Sequence, residues 1–318
     1  MASLESKSKK KRRLEAFLTE AERLGPDLIC LQEANPLPAM AREISQALHM
    51  DEIHQVCNAG VRSPLFGLPA GMKSGMITLS RKAFGLRHLQ ALKLPGSGFG
   101  RCGDRFSFQL TEHRYALVGE ISWKGRPVLL VNTHLHHTLP FDQKAESRLT
   151  RARLENQISE QEYRMVYQQN HAGLMRRQTQ MAGLNSYLSR RYPARPVILA
   201  GDMNARPEAP ELKAFIRPGA FFDPFALKGP RPGYTWDPAE NQNIHRSHGA
   251  FINRKAFSAV TINILKNLDL KPRRIDYILL NQNFTAEQIS SCALFATNPF
   301  SGNLYCSDHF GVVTTLSG

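Results

Sequence analysis

The chain has 318 residues, 42% of them hydrophobic, with 41 basic and 27 acidic side chains and a formal net charge of +14. That composition supports a sizeable core and excludes collagen-like and disordered classes; its charge fits polyanionic partners such as nucleic acid, anionic lipid surfaces or phosphorylated small molecules, or simply a solvated basic surface. Scattered Cys30, Cys57, Cys102, Cys292 and Cys306, with no C-x-x-C, argue against a disulfide framework or a zinc site and favour a reducing, cytoplasmic setting, while no apolar run reaches the ~18 residues of a membrane span and no signal-peptide core follows the basic N-terminus.

Residues 1–11 are rich in Lys and read as a basic disordered tail, leaving residues 12–318 as one domain. Leu14, Phe17, Leu18, Ala21 and Leu24 recur with helical spacing, and Gly25-Pro26 ends that helix. Asp27 to Glu33 then reads as a short buried strand finishing in a carboxylate. Further strands are expected at 75–80, 105–110 and 116–122, the last joined to the strand from Pro127 by a Lys124-Gly125 hairpin turn. Pro127 to His134 is an apolar run ending in polar groups, as is Pro196 to Asn204. Residues 141–190 between them are charged and mostly helical, ending in a segment with Met181 and Leu184 on one side. Residues 207–232 are Pro-rich and read as a structured loop. Arg274 to Leu280 carries Asp276 near its start, and Asp308 and His309 precede the final strand. Strands separated irregularly by helices predict an α/β sandwich with helices outside.

Hydrolysis of a phosphate ester requires charge neutralisation on the phosphoryl oxygens, an activated water and stabilisation of the leaving oxygen. Mg²⁺ prefers carboxylate oxygens and keeps several waters, so Glu33 and Asp308 at strand ends suit it as ligands. Asp202 and Asn204, two apart on an extended segment, project to one side, where they can orient a water and hold a phosphate oxygen. His309 can contact the phosphate or exchange its proton, with Asp276 fixing its tautomer, and His134 is a second donor. A single Asp at a strand end is ordinarily a turn or cap residue; the combination at several strand ends is what points to chemistry.

Leu31-Gln-Glu33, Asn132-Thr-His-Leu135, Gly201-Asp-Met-Asn204, Arg274-Ile-Asp-Tyr277 and Ser307-Asp-His309 resemble the successive motifs of the endonuclease/exonuclease/phosphatase superfamily, the deoxyribonuclease-I-like fold. They follow the family order over residues 12–316. The resemblance implies a four-layer α/β/β/α sandwich of two mixed sheets and a Mg²⁺-dependent hydrolase, with Mn²⁺ as a substitute ion. It implies Glu33, with Asp308 beside the metal or the water, as metal ligands; Asp202 to activate or orient the water; Asn204 to bind phosphate; Asp276 to pair with His309; and His134 to approach the phosphate. His309 is implied as acid/base or phosphate contact. Arg177, in the helix before Gly201, fits the family's basic substrate-binding residue, a place that Arg176 can also fill.

Members normally begin with a buried strand bearing an Asn, which residues 1–11 lack, so the first strand is expected to be missing. The chain as written is therefore expected to be less stable and less active than one extended upstream. The alternative to an active phosphodiesterase is accordingly an impaired or non-catalytic phosphate-binding homologue. Gly233-Tyr-Thr-Trp-Asp237 resembles segments of tyrosyl-DNA phosphodiesterases and of neutral sphingomyelinase-like members. Tyr234 and Trp236 would stack on a base or dip into a lipid interface, or else anchor a packed loop. Nucleic acid and phospholipid are the expected substrates. No protein partner is inferable. The glycine-dense stretch 96–103 lacks the Gly-Lys-Ser/Thr ending of a nucleotide-binding loop and reads as a connector.

Overall fold

A computed structural model describes residues 6–62, 67–98, 100–102, 107–109, 113–139, 141–247 and 257–317. In chain order the elements are α1 (Lys7–Leu24), β1 (Leu28–Ala34), α2 (Ala39–Leu48), β2 (Met50–Arg62), β3 (Gly67–Arg81), β4 (Arg87–Lys93), β5 (Gly100–Cys102), β6 (Ser107–Gln109), β7 (Tyr115–Trp123), β8 (Arg126–His134), α3 (Gln143–Leu154), α4 (Glu160–Arg191), β9 (Val197–Asp202), α5 (Pro210–Phe215), β10 (Phe221–Phe222), α6 (Pro224–Lys228), α7 (Ile244–Ser247), α8 (Ala259–Asp269), β11 (Asp276–Asn281), β12 (Ile289–Phe295) and β13 (Gly311–Leu316).

Alternation along the strands sorts these elements into four layers. A six-stranded sheet runs β10-β11-β9-β8-β7-β4, with β8 and β9 parallel and the other neighbours antiparallel. On β8, Leu129 and Val131 point to one face, where they pack with Met181, Leu184 and Leu188 of α4 and Leu212 of α5. Val128 and Leu130 point to the other, toward Leu28 and Cys30 of β1, Leu294 of β12 and Val312 of β13. The second β layer thus holds β1-β3-β2 and β12-β13. Its outer face, through Ile77 and Leu79, packs on Ala41 and Ile44 of α2 and on Leu14, Phe17 and Leu18 of α1. The α/β/β/α sandwich is the observed architecture, and only one of its β layers is mixed. The other is divided into antiparallel sheets, because β1 hydrogen-bonds to β3 and β13 to β12 but not to each other. The first described element is α1, and no strand precedes it among the described residues.

Two boundaries differ from expectation. Residues 7–11 are the first turn of α1 rather than tail: the Ser6 hydroxyl accepts the Lys9 N–H and caps a helix that its apolar stripe holds on the sheet. Gly25 ends it in the left-handed conformation, φ 62°, as its lack of a Cβ allows. The expected helical stretch of 141–190 is two helices, with the Ser159–Glu162 capping box restarting the chain as α4. The Lys124-Gly125 turn has positive φ at both positions, the twist a two-residue hairpin needs. The strand expected at 105–110 lies partly outside the described residues. No helix among the described residues is long and apolar enough to cross a membrane.

Candidate active site

Three of the expected site residues sit on one rung of the six-stranded sheet. Cα register pairs His134 of β8 with Asp202 of β9, and Asp202 with Asp276 of β11. Residues on one rung point to the same face, so their polar ends converge. His134 Nε2 lies 3.4 Å from Asp202 Oδ2. The strands come this close because residue 201 is glycine: a Cβ there would lie 1.9 Å from the Thr133 carbonyl oxygen. Beyond the rung the chain turns sharply at Asn204, φ 49°. The Asn204 backbone N–H donates to Asp202 Oδ1 at 2.8 Å, and its side-chain amide donates to Leu135 O at 3.0 Å and Asp202 Oδ2 at 3.2 Å.

His309 comes from the loop before β13. Its Nδ1 is 2.9 Å from Asp276 Oδ2. Two buried amides hold that loop: Asn243 donates to Tyr305 O at 2.7 Å and Ser307 O at 3.1 Å, and Asn241 donates to Ser307 O at 3.0 Å. Trp236 packs edge-to-face on His309, with ring centroids 5.0 Å apart. Thr235 accepts the Ile275 and Asp276 N–H groups and so fixes the start of β11.

Burial and repulsion set the charge states. Burial, then the neighbouring charge of Asp276 and more weakly of Glu33, pushes Asp202 up to about 7, against His309 and the Asn204 N–H. Burial opposes protonation of His309, but the charge and hydrogen bond of Asp276, with Asp202 and Asp308 beyond, raise it to about 10. His137 behaves oppositely: burial and then the charges of Arg273, Arg114 and Arg177 push it down to about 3. Of these arginines, Arg177 and Arg273 are ion-paired with Glu211 and Asp269.

Asp202, Asp276 and His309 each offer a ligand atom within 4.8 Å of the others. Crowded carboxylates, one of them held back from ionising, are a donor set that a hard divalent cation fits, because the cation relieves their repulsion. Glu33 and Asp308 are not in that cluster, though their charges are felt at Asp202 and His309 respectively. Glu33 occupies a bulge between Leu31 and Ala34 at the end of β1, φ 54°. Asp308 lies 4.0 Å from an Arg13 guanidinium nitrogen.

The remaining expected residues are placed differently. Arg177 is buried; its guanidinium donates to Glu211 at 2.8 Å and to Thr138 Oγ1, so the charge expected to meet substrate is already paired. Arg176 is exposed. Trp236 is buried rather than presented for stacking: its indole N–H donates to Asp269 O at 2.8 Å, and Arg273 covers the ring at 4.9 Å. The physical reason is that an amphipathic indole with its N–H satisfied gains more from the core than from water. Tyr234 is half-buried on the same loop. Two residues escaped the sequence reading altogether, Asn241 and Asn243. Their only signal was the polar stretch that follows Trp236; both are buried carbonyl clamps.

The Endonuclease/Exonuclease/phosphatase family matches residues 2–309. Among solved structures, truncated Caenorhabditis elegans TDP2 superposes with a TM-score of 0.58 at 18% identity, over 97% of this chain and 91% of that one. D. rerio TDP2, complexed with single strand DNA product, gives 0.56 at 16% identity over 97% and 92%. An endonuclease/exonuclease/phosphatase from Bacteroides vulgatus gives 0.54 at 14% identity over 96% and 90%. No curated protein matches the chain in sequence.

Proposed function

The chain belongs to the Endonuclease/Exonuclease/phosphatase family, and we propose that it is a divalent-metal-dependent phosphodiesterase acting on nucleic acid. One observation carries the reading: the His134–Asp202–Asp276 rung is joined by His309, giving two carboxylates and two imidazoles at one end of the sheet's interior strands. Nucleic acid is preferred to phospholipid as substrate because one structural neighbour was solved with a single-stranded DNA product.

Mg²⁺, or Mn²⁺ in its place, would be held where Asp202 and Asp276 crowd together, with Glu33 and Asp308, which lie outside that cluster, as the further ligands the family resemblance implies, and would neutralise charge on the phosphoryl oxygens. Asp202, hydrogen-bonded by Asn204, orients the attacking water and accepts its proton. His134 holds Asp202 in place and lends a donor to a phosphate oxygen. His309 gives its Nδ1–H to Asp276, which leaves Nε2 to face the substrate. Raised to about 10, it is an imidazolium at neutral pH, suited to stabilising phosphate charge and to protonating a leaving oxygen rather than to acting as base.

A panel of single- and double-stranded DNA, RNA, sphingomyelin and phosphoinositides, assayed with Mg²⁺ and with chelator, tests this reading. Nucleic-acid phosphodiesters are expected to be cleaved only with metal, and Asp202→Ala to lose activity by at least about 100-fold. Turnover that ignores chelator or survives Asp202→Ala would refute it.

A further inference from the structure

A cleft of about 370 Å³ opens beside the catalytic rung and runs out along α4. Its inner end is formed by Asn204 and Arg177, its outer end by Phe141 and Tyr167. On α4, Tyr163, Tyr167, Asn170, His171, Leu174 and Arg177 recur at helical spacing, so one face of the helix leads from solvent toward the site. Tyr167 is held on that face. Tyr163 lies nearly parallel to it, with centroids 6.4 Å apart at 22°, and is itself covered by Arg153 at 4.4 Å. Phe141 meets Tyr167 edge-on, at 6.1 Å and 85°. Yet 45% of the Tyr167 surface stays open to solvent. A large aromatic ring left open costs hydration, and one braced on two sides has little freedom to lose on binding.

We propose that this cleft is a base-stacking subsite for single-stranded nucleic acid, a reading that rests on the phosphodiesterase function above. A nucleobase further along the strand from the scissile phosphate stacks on Tyr167 with Phe141 at its edge. Its polar edge meets Asn170 and His171, and the backbone passes Arg206, half-exposed on the cleft wall and 3.8 Å from Asp142, on its way to Asn204. An acyl chain would need an unbroken apolar trough; Asn170, His171 and Arg206 interrupt this one.

The test uses the full chain with Tyr167→Ala, Tyr167→Phe and, as a control on an exposed residue away from the cleft, Leu154→Ser. Binding of a short fluorescein-labelled oligothymidylate is followed by anisotropy in chelator, and hydrolysis with Mg²⁺ is compared between that oligonucleotide and methyl p-nitrophenyl phosphate, which carries no base. Tyr167→Ala is expected to weaken oligonucleotide binding about 10-fold and to lower the preference for oligonucleotide over the baseless ester to a similar degree, while Tyr167→Phe stays within about 2-fold of the parent. Leu154→Ser should match the parent throughout. Parental binding and preference in Tyr167→Ala overturn the subsite. So does loss of binding to sphingomyelin vesicles by Tyr167→Ala with oligonucleotide binding intact, which would make the occupant a lipid. Weakened oligonucleotide binding in a protein that hydrolyses none of these substrates would sink the catalytic reading and leave the subsite standing.

Discussion

His309 and Asp276, 33 residues apart in sequence, are joined by a 2.9 Å contact between imidazole Nδ1 and carboxylate Oδ2. The pair couples the final motif of the chain to the start of β11. Burial works against the charged imidazole, but Asp276 and then Asp202 and Asp308 lift its pKa to about 10. A raised histidine contributes stability in full below its unfolded pKa of about 6.5 and loses it as pH rises through the folded value. In chelator, the Tm of the parent should therefore fall between about pH 6.5 and pH 10. Asp276→Asn should lower Tm most below pH 6.5 and progressively less toward pH 10. Parallel Tm–pH curves for the two proteins would show that the pair does not titrate as described.

Asp202 has a linkage of the same sign in a lower pH window. Its carboxyl is raised, by burial first and Asp276 second, to about 7. A raised carboxyl costs stability as pH climbs from the unfolded value near 3.9 through the folded one. Without metal, the Tm difference between Asp202→Asn and the parent should grow more positive from about pH 4 to about pH 7. Mg²⁺ should stabilise the parent and not the variant, and should do so more strongly above pH 7, where Asp202 is ionised. Thermal melts over a pH series, with Mg²⁺ and with chelator, measure both effects; equal metal response in the two proteins would remove Asp202 from the metal site.

Trp236 should behave as a support for His309. Trp236→Phe keeps most of the edge contact but loses the indole N–H to Asp269 O, a cost of about 1 kcal/mol. Trp236→Ala empties a buried site and should cost roughly 3–5 kcal/mol. If the residue instead stacked on substrate, Trp236→Ala would raise KM with little loss of stability, which denaturant melts alongside steady-state kinetics distinguish.

Much of this was readable in the amino acids, and the boundary of what was readable has a physical cause. Gly201-Asp-Met-Asn204 and Ser307-Asp-His309 stand out because polar groups end or precede apolar strands, a pattern that costs burial energy unless it serves a site. The sandwich was readable from strands separated irregularly by helices, and its four layers from the family resemblance; the apolar run of β8 divides its alternate residues between the two cores. Register was not readable. Nothing local says that His134, Asp202 and Asp276 share a rung, since pairing is decided between strands far apart in sequence. Side-chain direction in irregular segments was equally hidden, so the choice for Trp236 between meeting substrate and anchoring a packed loop stayed open, and Asn241 and Asn243 drew no expectation. The helical start at Lys7 was missed because lysines report solvent exposure, whereas the cap at Ser6 and the stripe further along decide the helix.

Asn243 offers the sharpest separation of positioning from chemistry. Its amide donates to both Tyr305 O and Ser307 O, and it is 4% exposed. Asn243→Ala leaves the Tyr305 carbonyl buried without this donor, at a cost of about 1–3 kcal/mol, while Asn241 still holds Ser307 O. The loop should then hold His309 less firmly, lowering kcat more than it raises KM, because the imidazolium acts on charge that develops in the transition state. Asn243→Asp should not restore function, since a carboxylate cannot donate to either carbonyl, whereas Asn243→Gln should recover part of the stability if its longer amide reaches Tyr305 O. Asn241→Ala alone should have the smaller effect, because Asn243 also reaches Ser307 O, and the double variant should cost more than the sum of the singles, since only then does Ser307 O lose both donors. A double-mutant cycle in Tm and kcat measures that coupling; strict additivity would mean that the two amides do not share the loop that carries His309.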